Sequence, residues 1–553
     1  MNENLSIIPL GGVGNVTKNM FLYEYNNQIL IVDCGLGFPD ETMLGVDLLL
    51  PDITFLLEEL KRGKKIVGML ITHGHEDHMG SLPFILPQLP TNFPIYATNL
   101  TAAMANEKLK EFKITKQVEK IDFGKVLNIG EFSAMFIRVT HSIPDTAHIF
   151  IKTPMGNFYH GSDFKFDPTP YDGKPSDLTT IEEVGKQGVL CMISDCLGSE
   201  RKGATPSETT LTPTFEKEIK DCQGKFIVTT YSSHISRLNQ IIKTSEKFGR
   251  KVCFVGRSLI RAKETAKRLG YLHLQKGTEI EIHSLKNYKD RDLTLIVAGS
   301  QGQEDSAMTR IANDEHKDVK LGSKDTVFFS ADPIPGYELF VYEVVDTITK
   351  KDIRVLYSGI SSELHVSGHG SQDELSQLIR LVKPKKLYPI SGQFRHMYAY
   401  KNLALEQGYK REDILLLDDA REIIFSKNDV TFGKIIPLKN VYVDEISGEE
   451  MESFVLLDRQ RLSEAGIVII LAQISAASGQ FIQDPDVIIR GFTADSKKIT
   501  SKINNDLRLA LKKKTGRVTN WQHIKKLIGD ISERRFMKEF RHAPLVLPVV
   551  IEV

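Results

Sequence analysis

The stretch His73-Gly74-His75-Glu76-Asp77-His78 decides how this chain is interpreted, because it places three imidazoles and the carboxylate of Asp77 in one short loop. So many nitrogen and oxygen ligands cannot be buried without a metal ion or several hydrogen-bonded partners. The preceding run, residues 66–71, is apolar and predicts a buried strand. The loop then follows the C-terminal end of a strand, where α/β proteins usually carry their chemistry. This segment favours a metal-dependent hydrolase over a solvated polar loop.

The order of the ligands within the loop predicts two neighbouring metal positions. His73 and His75 are two residues apart, so on an extended segment their side chains point the same way. Asp77 and His78 are adjacent to each other and must point elsewhere. One loop can therefore supply ligands to two metal ions.

The remaining ligands have to come from later in the chain, and two candidates follow apolar stretches. His141 lies in Thr140-His141-Ser142-Ile143-Pro144, and Asp163 lies in His160-Gly161-Ser162-Asp163-Phe164. A carboxylate is the usual bridge between two metals because each of its oxygens can bind one ion. Taken alone, His141 or Asp163 would be better explained by a structural role. Each is a candidate ligand only together with the ligands of the His73–His78 loop.

The composition is that of a globular protein without net charge. Of the 553 residues, 41% are hydrophobic and 26% are charged, and 71 basic residues balance 71 acidic ones. This length predicts about three domains, and an anionic substrate would need local positive charge or metal ions. The sequence predicts no membrane span, since it has no apolar run of about 18 residues, and no signal peptide. The five cysteines form no Cys-x-x-Cys pair and are interpreted as reduced thiols of a cytoplasmic protein.

A change of pattern near residue 205 indicates an inserted domain. Residues 1–205 alternate short strands with turns and predict the first part of an α/β sandwich. Residues 206–360 follow a strand–helix–strand pattern and predict a separate α/β domain. Residues 361–430 again carry metal-ligand residue types, so we expect the chain to return to the first domain there. We expect a polar linker over 431–460 and a compact C-terminal domain over 461–553.

These motifs resemble those of a known group of hydrolases. The His-x-His-x-Asp-His loop, the later histidine and the later aspartate resemble the metallo-β-lactamase superfamily, and the inserted domain resembles its β-CASP branch, which acts on nucleic acids. Further strings resemble the ribonuclease J family from one end of the chain to the other. They are Leu10-Gly11-Gly12-Val13-Gly14, Gly161-Ser162-Asp163-Phe164-Lys165-Phe166-Asp167, Gly299-Ser300-Gln301-Gly302, Pro333-Ile334-Pro335-Gly336, His365-Val366-Ser367-Gly368-His369-Gly370-Ser371-Gln372 and Leu547-Pro548-Val549-Val550-Ile551-Glu552-Val553.

The resemblance implies a fold and a metal content. The fold would be a metallo-β-lactamase αββα sandwich with an inserted β-CASP α/β domain and a small α+β C-terminal domain that supports oligomerisation. Up to two ions of Zn²⁺ or Mn²⁺ would be bound per chain. The implied ligands are His73, His75 and His141 for the first ion and Asp77 and His78 for the second, with Asp163 as the bridge.

The resemblance also implies catalytic roles for Asp77, Asp195 and His369. Asp195 matches the acidic residue that orients the catalytic histidine, and His369 would protonate the leaving 3′ oxygen of RNA. The alternative for His369 is a loop histidine that caps backbone groups. Hydroxyls and backbone N–H groups beside glycine suit a phosphate group. The implied segments for RNA and its 5′-terminal monophosphate contain Ser232, Ser233, His365, Val366, Ser367, Gly368, His369 and Ser371.

The sequence departs from the family pattern at three positions around the same cleft. Ser391 stands where relatives usually have a histidine that completes the second metal site, and a neutral hydroxyl is a far poorer ligand. We do not expect His396, five positions later, to substitute for it. Ser236 replaces a histidine expected to touch RNA, and Ser162 replaces the glycine before Asp163. The change at Ser391 predicts a weak second metal site, and the three changes together indicate a relaxed catalytic demand.

Three functions are compatible with this pattern. The first is a weak 5′-to-3′ exoribonuclease with some endonuclease activity, which acts on 5′-monophosphorylated RNA in mRNA decay and rRNA maturation. The second is a nearly inert structural or regulatory subunit that assembles with an active paralogue. The third, a small-molecule metallohydrolase such as a lactonase, is disfavoured by the inserted domain. The departures favour the second, weaker paralogue of Gram-positive bacteria, as a homodimer or in a heterotetramer with the active one.

Overall fold

The computed structural model describes residues 4–40, 42–334, 336–361, 363–427, 429–444, 450–451, 453–492, 496–512 and 520–553. Pro335 of the quoted motif and residues 445–449 of the expected linker lie outside these ranges. The chain divides into two compact units, one formed by residues 1–38 and 49–441 and the other by 39–48 and 442–553.

Two mixed sheets form the centre of the first unit. The strands of the larger sheet are, in spatial order, Val430–Ile435, Arg421–Phe425, Leu5–Gly11, Met20–Tyr25, Gln28–Val32, Lys65–Ile71, Ile95–Ala97 and Glu119–Lys120. The strands of the smaller sheet are Lys386–Ile390, Cys191–Asp195, Gly156–Gly161, Ala147–Thr153, Phe132–Arg138 and Val126–Ile129.

The two sheets share one apolar core and are flanked by helices. Phe21 and Tyr23 of the larger sheet and Ile149 and Phe158 of the smaller sheet belong to the same buried cluster. Strands such as Gln28–Val32 and Lys65–Ile71 are largely apolar because most of their residues are buried. The helices are Thr54–Lys61, Glu76–Met79, Leu82–Ile85, Asn99–Glu111, Leu178–Lys186, Gln372–Val382 and Phe394–Glu406, with 3₁₀ turns at Leu86–Gln88 and Arg411–Asp413.

Between strands Cys191–Asp195 and Lys386–Ile390, the chain forms a third, wholly parallel sheet with its own helices. Its strands are, in spatial order, Lys251–Val255, Leu293–Val297, Phe226–Thr229, Thr326–Phe329 and Arg354–Leu356. Its helices are Thr212–Asp221, Ile235–Lys247, Arg257–Arg268, Ala307–Ala312 and Glu338–Thr349, with 3₁₀ turns at Glu208–Leu211, Ile282–Asn287 and Asp290–Asp292. Parallel strands require such helical crossovers. The expected sandwich with an inserted α/β domain is confirmed.

The second unit contains the small α+β domain. Strand Ile467–Ile474 pairs antiparallel with Asp486–Arg490 and parallel with Leu545–Glu552. The helices of this unit are Ser453–Ala465, Ser496–Lys512 and Trp521–Phe540. Its core combines Val468 and Ile470 of the central strand with Ile503 and Ile528 of the helices.

The expectation of a linker over 431–460 is wrong for much of that range. Residues 430–435 form an edge strand that pairs with Arg421–Phe425, and a helix begins at Ser453. Short strands are also present at Leu48–Leu50 and Val441–Val443, and the latter pairs with Glu450–Met451. The expectation rested on the polar and acidic residues around Asp444–Glu452, whereas both ends of the range carry regular secondary structure. Among the described residues, no helix is both long and apolar enough to cross a membrane.

Candidate active site

The ligand loop is anchored to the end of a neighbouring strand. Thr72 follows strand Lys65–Ile71, and its N–H and hydroxyl donate to the two carboxylate oxygens of Asp33 at 2.8 and 2.9 Å. Asp33 follows strand Gln28–Val32, which is adjacent to Lys65–Ile71 in the sheet. The loop then turns into the short helix Glu76–Met79. A buried carboxylate, which sequence reasoning missed, therefore fixes where the loop leaves the sheet.

Four side-chain atoms of the first predicted metal group converge on one point. Nδ1 of His75 lies 3.2 Å from Nε2 of His73 and 3.2 Å from Nε2 of His141. Oδ2 of Asp163 lies 3.8 Å from the His73 nitrogen and 3.9 Å from the His141 nitrogen. A tetrahedral ion with bonds of about 2.1 Å separates its ligand atoms by about 3.4 Å. The spacing of these atoms fits one such ion.

The outer nitrogens of the same three rings have oxygen partners, which leaves the inner nitrogens free of protons. Hydrogen-bonding distances of 3.1, 3.0 and 2.7 Å join His73 Nδ1 to the Thr72 hydroxyl, His75 Nε2 to the Ser142 hydroxyl, and His141 Nδ1 to the Gly368 carbonyl. This is the tautomer that metal-binding histidines need. Burial also lowers the pKa of His75 to about 3, so the ring is neutral.

The second predicted group surrounds His78. Its Nε2 lies 3.3 Å from Oδ2 of Asp163 and 3.6 Å from Oδ2 of Asp77, and its Nδ1 lies 2.8 Å from Asp33. Burial alone would lower the pKa of His78, but the carboxylates of Asp163, Asp77 and Asp33 outweigh it and hold this pKa well above its usual value. The surroundings of His78 thus favour positive charge, which a proton or a metal ion can supply.

Asp163 lies where both groups meet. Its Oδ2 is the atom that approaches the histidines, whereas its Oδ1 is buried and has no hydrogen-bond partner among the described residues. A buried carboxylate oxygen without a partner is costly unless a cation takes that place. The donor set of imidazoles and carboxylates therefore fits a divalent metal, and Zn²⁺ and Mn²⁺ both accept it.

Ser391 is separated from His78 by the side chain of Asn19. The Ser391 hydroxyl donates to Oδ1 of Asn19 at 3.3 Å, and Nδ2 of Asn19 lies 3.1 Å from Nε2 of His78 and 3.1 Å from the Asp77 carbonyl. An amide N–H group has no lone pair for a cation. His396 does not replace the missing ligand, because its Nδ1 accepts the N–H of Gln393 at 3.1 Å. This side of the second position lacks a ligand, and sequence reasoning missed Asn19.

His369 and Asp195 form a hydrogen-bonded pair beside the metal group. His369 Nδ1 lies 2.8 Å from Asp195 Oδ2, and His369 Nε2 lies 4.0 Å from Asp163 Oδ2. Burial lowers the pKa of His369, but the carboxylates of Asp195 and Asp163 outweigh it, so the pKa is raised above its usual value. Both carboxylates thus favour the protonated form of the ring, which a general acid requires.

The residues predicted to bind phosphate differ in the burial of their side chains and in their hydrogen-bond partners. The Ser371 hydroxyl is buried against Thr205 at 2.9 Å and caps helix Gln372–Val382, and Val366 packs into the core of the inserted domain. The Ser367 hydroxyl accepts the N–H of His369 at 3.1 Å. The Gly368 carbonyl holds His141. These residues support the site from behind.

The other predicted RNA-binding residues lie in or near the inserted domain. His365 Nδ1 is 3.4 Å from the Ser330 carbonyl. Ser232 and Ser233 follow strand Phe226–Thr229 and are partly exposed, and the Ser232 hydroxyl lies 2.9 Å from that of Ser258. Their backbone and hydroxyl groups remain accessible to a ligand.

Ser162 and Ser236, two of the departures from the family pattern, lie in different surroundings. Ser162 is fully buried, and its hydroxyl oxygen lies 3.2 Å from that of Thr72, so it joins the network behind His73. Ser236 lines a small cavity of about 20 Å³ together with His141 and Glu208. A larger side chain at position 236 would fill part of this space.

Comparison with protein-family models covers most of the chain. Residues 13–153 match the metallo-beta-lactamase superfamily, 223–348 match the ribonuclease J beta-CASP domain, 352–415 match the Zn-dependent metallo-hydrolase RNA specificity domain, and 454–553 match the ribonuclease J C-terminal domain.

Comparison with individual proteins gives matches along the whole length. Ribonuclease J2 of Bacillus subtilis (strain 168) is 33% identical over 556 residues, covering 100% of this chain and 99% of that protein. Ribonuclease J of Thermus thermophilus is 34% identical over 564 residues, covering 100% and 96%. A crystal structure of a protein of unknown function from Enterococcus faecalis V583 superposes with a TM-score of 0.52 at 17% identity, covering 76% of this chain and 100% of its own. That last likeness concerns the fold alone.

Proposed function

Because this chain belongs to the ribonuclease J family of metal-dependent ribonucleases, we propose that it is a 5′-to-3′ exoribonuclease of low activity, with some endonuclease activity, in mRNA decay and rRNA maturation. The observation that carries this proposal is the convergence of His73, His75, His141 and Asp163 beside the His369–Asp195 pair. A small-molecule hydrolase would have no use for the inserted domain, which resembles domains that act on nucleic acids.

In the proposed reaction, each polar group has a defined task. The ligand residues would hold a divalent ion, which supplies an activated water and neutralises charge on the attacked phosphate. Asp195 keeps Nδ1 of His369 protonated and the ring oriented across their 2.8 Å hydrogen bond. Nε2 of His369 then donates its proton to the leaving 3′ oxygen, which otherwise would depart as a costly alkoxide.

Low activity follows from the second metal position. Asp77, His78 and Asp163 would hold a second ion, but the side towards Ser391 presents the Asn19 amide instead of an imidazole. We expect one tightly bound Zn²⁺ or Mn²⁺ and a second ion only at high metal concentration. With a single ion, the charge that develops on the attacked phosphate is less well neutralised.

The preferred substrate in this proposal is RNA with a 5′ monophosphate. Residues 365–371 contain the Gly368 carbonyl, which holds His141, and His369, which lies beside Asp163, and Ser232 and Ser233 of the inserted domain are partly exposed. Backbone N–H groups and hydroxyls in turns suit a terminal phosphate. The burial of Ser371 and Val366 leaves this task to their backbone and to the neighbouring groups.

The second candidate is a subunit of a complex with an active paralogue, either as its regulator or as its structural support. The observation that favours it is the missing ligand at Ser391, since a protein with a supporting role tolerates an incomplete metal site. We expect a homodimer or a heterotetramer with that paralogue. The five cysteines, all buried and unpaired, support a cytoplasmic location.

Asp77→Ala tests the proposed activity directly. The purified protein is assayed on 5′-monophosphorylated RNA with Mn²⁺, and the variant is assayed in parallel. We expect slow release of nucleotides from the 5′ end by the parent chain and at least a 100-fold loss in the variant. If neither protein cleaves RNA while the parent binds an active paralogue, the subunit role replaces the enzymatic one.

A further inference from the structure

Arg201 is an exposed arginine that the sequence motifs did not single out. It lies in the loop after strand Cys191–Asp195, and its Nη2 donates to the carbonyl oxygen of His369 at 3.1 Å. The same loop carries Asp195, the hydrogen-bond partner of the His369 ring. The same loop therefore contacts His369 twice. The Asp195 carboxylate binds its ring, and the Arg201 guanidinium binds its backbone carbonyl.

The backbone of this loop is fixed against the segment that contains His369. The Arg201 N–H donates to the Gly198 carbonyl at 3.0 Å, and the Arg201 carbonyl accepts the N–H of Gln372 at 3.0 Å. A Cβ atom at Gly198 would lie 1.9 Å from the Gly370 carbonyl oxygen, so only glycine allows this approach. The guanidinium is therefore held at a defined place beside the catalytic histidine.

Most of the donors of Arg201 have no partner within the described part of the chain. A guanidinium has five N–H groups, and the bond to His369 uses one of them. No carboxylate of a described residue lies within 4.0 Å of it, whereas the nearby buried Arg237 and Lys165 are both paired with Glu208. Arg201 is a cation with free donors, held in place and open to solvent.

The negative charge of the cleft suggests a function for the Arg201 guanidinium. Asp77, Asp163 and Asp195 belong to the candidate metal groups beside His369, and the negative charge of carboxylates disfavours the approach of RNA. Planar guanidinium groups bind phosphate oxygens through two parallel hydrogen bonds. We propose that Arg201 binds a phosphate group of the RNA backbone next to the bond that His369 protonates. This inference rests on RNA being the ligand, as proposed above, and does not depend on the rate of cleavage.

The experiment measures RNA binding without cleavage. Fluorescence anisotropy is recorded with Mn²⁺-loaded protein and a 5′-monophosphorylated RNA whose linkages are phosphorothioates, at several salt concentrations. Arg201→Ala is compared with Arg201→Lys and with Lys202→Ala, a control at the neighbouring exposed cation. Melting temperatures establish that the variants are folded.

We expect Arg201→Ala to raise the Kd about 10- to 100-fold, as for the loss of charge-assisted hydrogen bonds. The slope of log Kd against log salt should fall by about 0.7, which corresponds to one phosphate contact on a single strand. Arg201→Lys should keep this slope and recover only part of the affinity, and Lys202→Ala should change little. Equal Kd and slope for Arg201→Ala and the parent chain would overturn the inference. A parent chain that binds no RNA would instead refute the proposed function.

Discussion

The hydroxyl of Ser391 donates to Oδ1 of Asn19 across 3.3 Å, although the two residues are 372 positions apart in the sequence. Through this bond the carboxamide of Asn19 is oriented with its N–H groups towards Nε2 of His78 and the Asp77 carbonyl. The departure at position 391 is thus transmitted to a metal-ligand atom by an intervening side chain.

Replacing Ser391 with histidine should strengthen the second metal position. An imidazole nitrogen is a stronger metal ligand than a neutral hydroxyl, and the Asn19 N–H groups that face His78 have no lone pair for a cation. We expect metal analysis of the purified variant to give close to two ions per chain, against about one for the parent, and the rate on 5′-monophosphorylated RNA to rise at least 10-fold. Two tightly held ions in the parent chain would contradict our explanation of the low activity that we propose.

Replacing Asp33 with asparagine should weaken metal binding without touching a ligand. Asp33 accepts hydrogen bonds from Thr72 and lies 2.8 Å from Nδ1 of His78. Removing its charge makes His78 a poorer ligand, and such changes typically cost 10- to 100-fold in metal affinity. Competition with a chelator measures this affinity. Asp52→Asn serves as the control, since Asp52 is also a buried carboxylate that accepts a backbone N–H, from Thr54. Equal losses in the two variants would indicate a general loss of stability.

Gly368→Ala should disturb the first metal group specifically. A Cβ atom there would lie 2.7 Å from Cε1 of His141, and the ring would have to move from its bond to the Gly368 carbonyl. We expect the tightly bound ion to be lost or weakened at least 10-fold in calorimetric titration, because His141 shifts away from its place. Gly322→Ala is the matched control, since nothing lies closer than 3.7 Å to its Cβ position. Unchanged metal affinity in Gly368→Ala would contradict the arrangement described for His141.

The stability of the fold should fall as the pH rises through the titration of Asp419. This partly buried carboxyl accepts the Val13 N–H at 2.9 Å and the Asn15 amide at 2.6 Å, and burial raises its pKa to about 7. The unfolded chain ionises it near pH 4. Between about pH 4 and 7 the unfolded state therefore loses the proton first, and the free energy of unfolding decreases.

Urea unfolding at pH 5 and pH 8 tests this expectation. The decrease in stability between the two pH values should be smaller in Asp419→Asn than in the parent chain. Asp418→Asn, at the exposed neighbouring carboxylate, provides the control and should keep the decrease of the parent. The same pH dependence in all three proteins would show that Asp419 is not the group responsible.

Sequence patterns predicted those parts of the fold and site that local residue types determine. The apolar run before His73 predicted a strand, and the histidines and carboxylate of the loop predicted metal ligands. Both predictions depend only on short-range periodicity and on residue chemistry. The layered architecture followed from the resemblance of the motifs to a known family. The assignment of ligands to two ions is consistent with the measured distances and stays a prediction until metal is counted.

The remaining features depend on contacts between distant segments, which periodicity does not contain. Asn19 and Asp33 act on His78 from other strands, and Arg201 reaches the backbone of His369 from another loop. Ser371 was expected to face phosphate, yet a serine followed three residues later by Glu374 is also the sequence of a helix cap. The partners of Asn19, Asp33 and Arg201 are thus fixed by tertiary structure, whereas the cap formed by Ser371 is local.

The separation of Asp195 and His369 by 174 residues has a consequence for the synthesis of the protein on the ribosome. All the ligands from His73 to Asp163 are synthesised before the inserted domain, whereas His369 emerges only after that domain is complete. Closing so long a loop costs little more entropy than closing a short one, provided that the intervening chain folds and brings its ends together. A nascent chain can thus acquire its metal ligands early but lacks its proton donor until the inserted domain has folded.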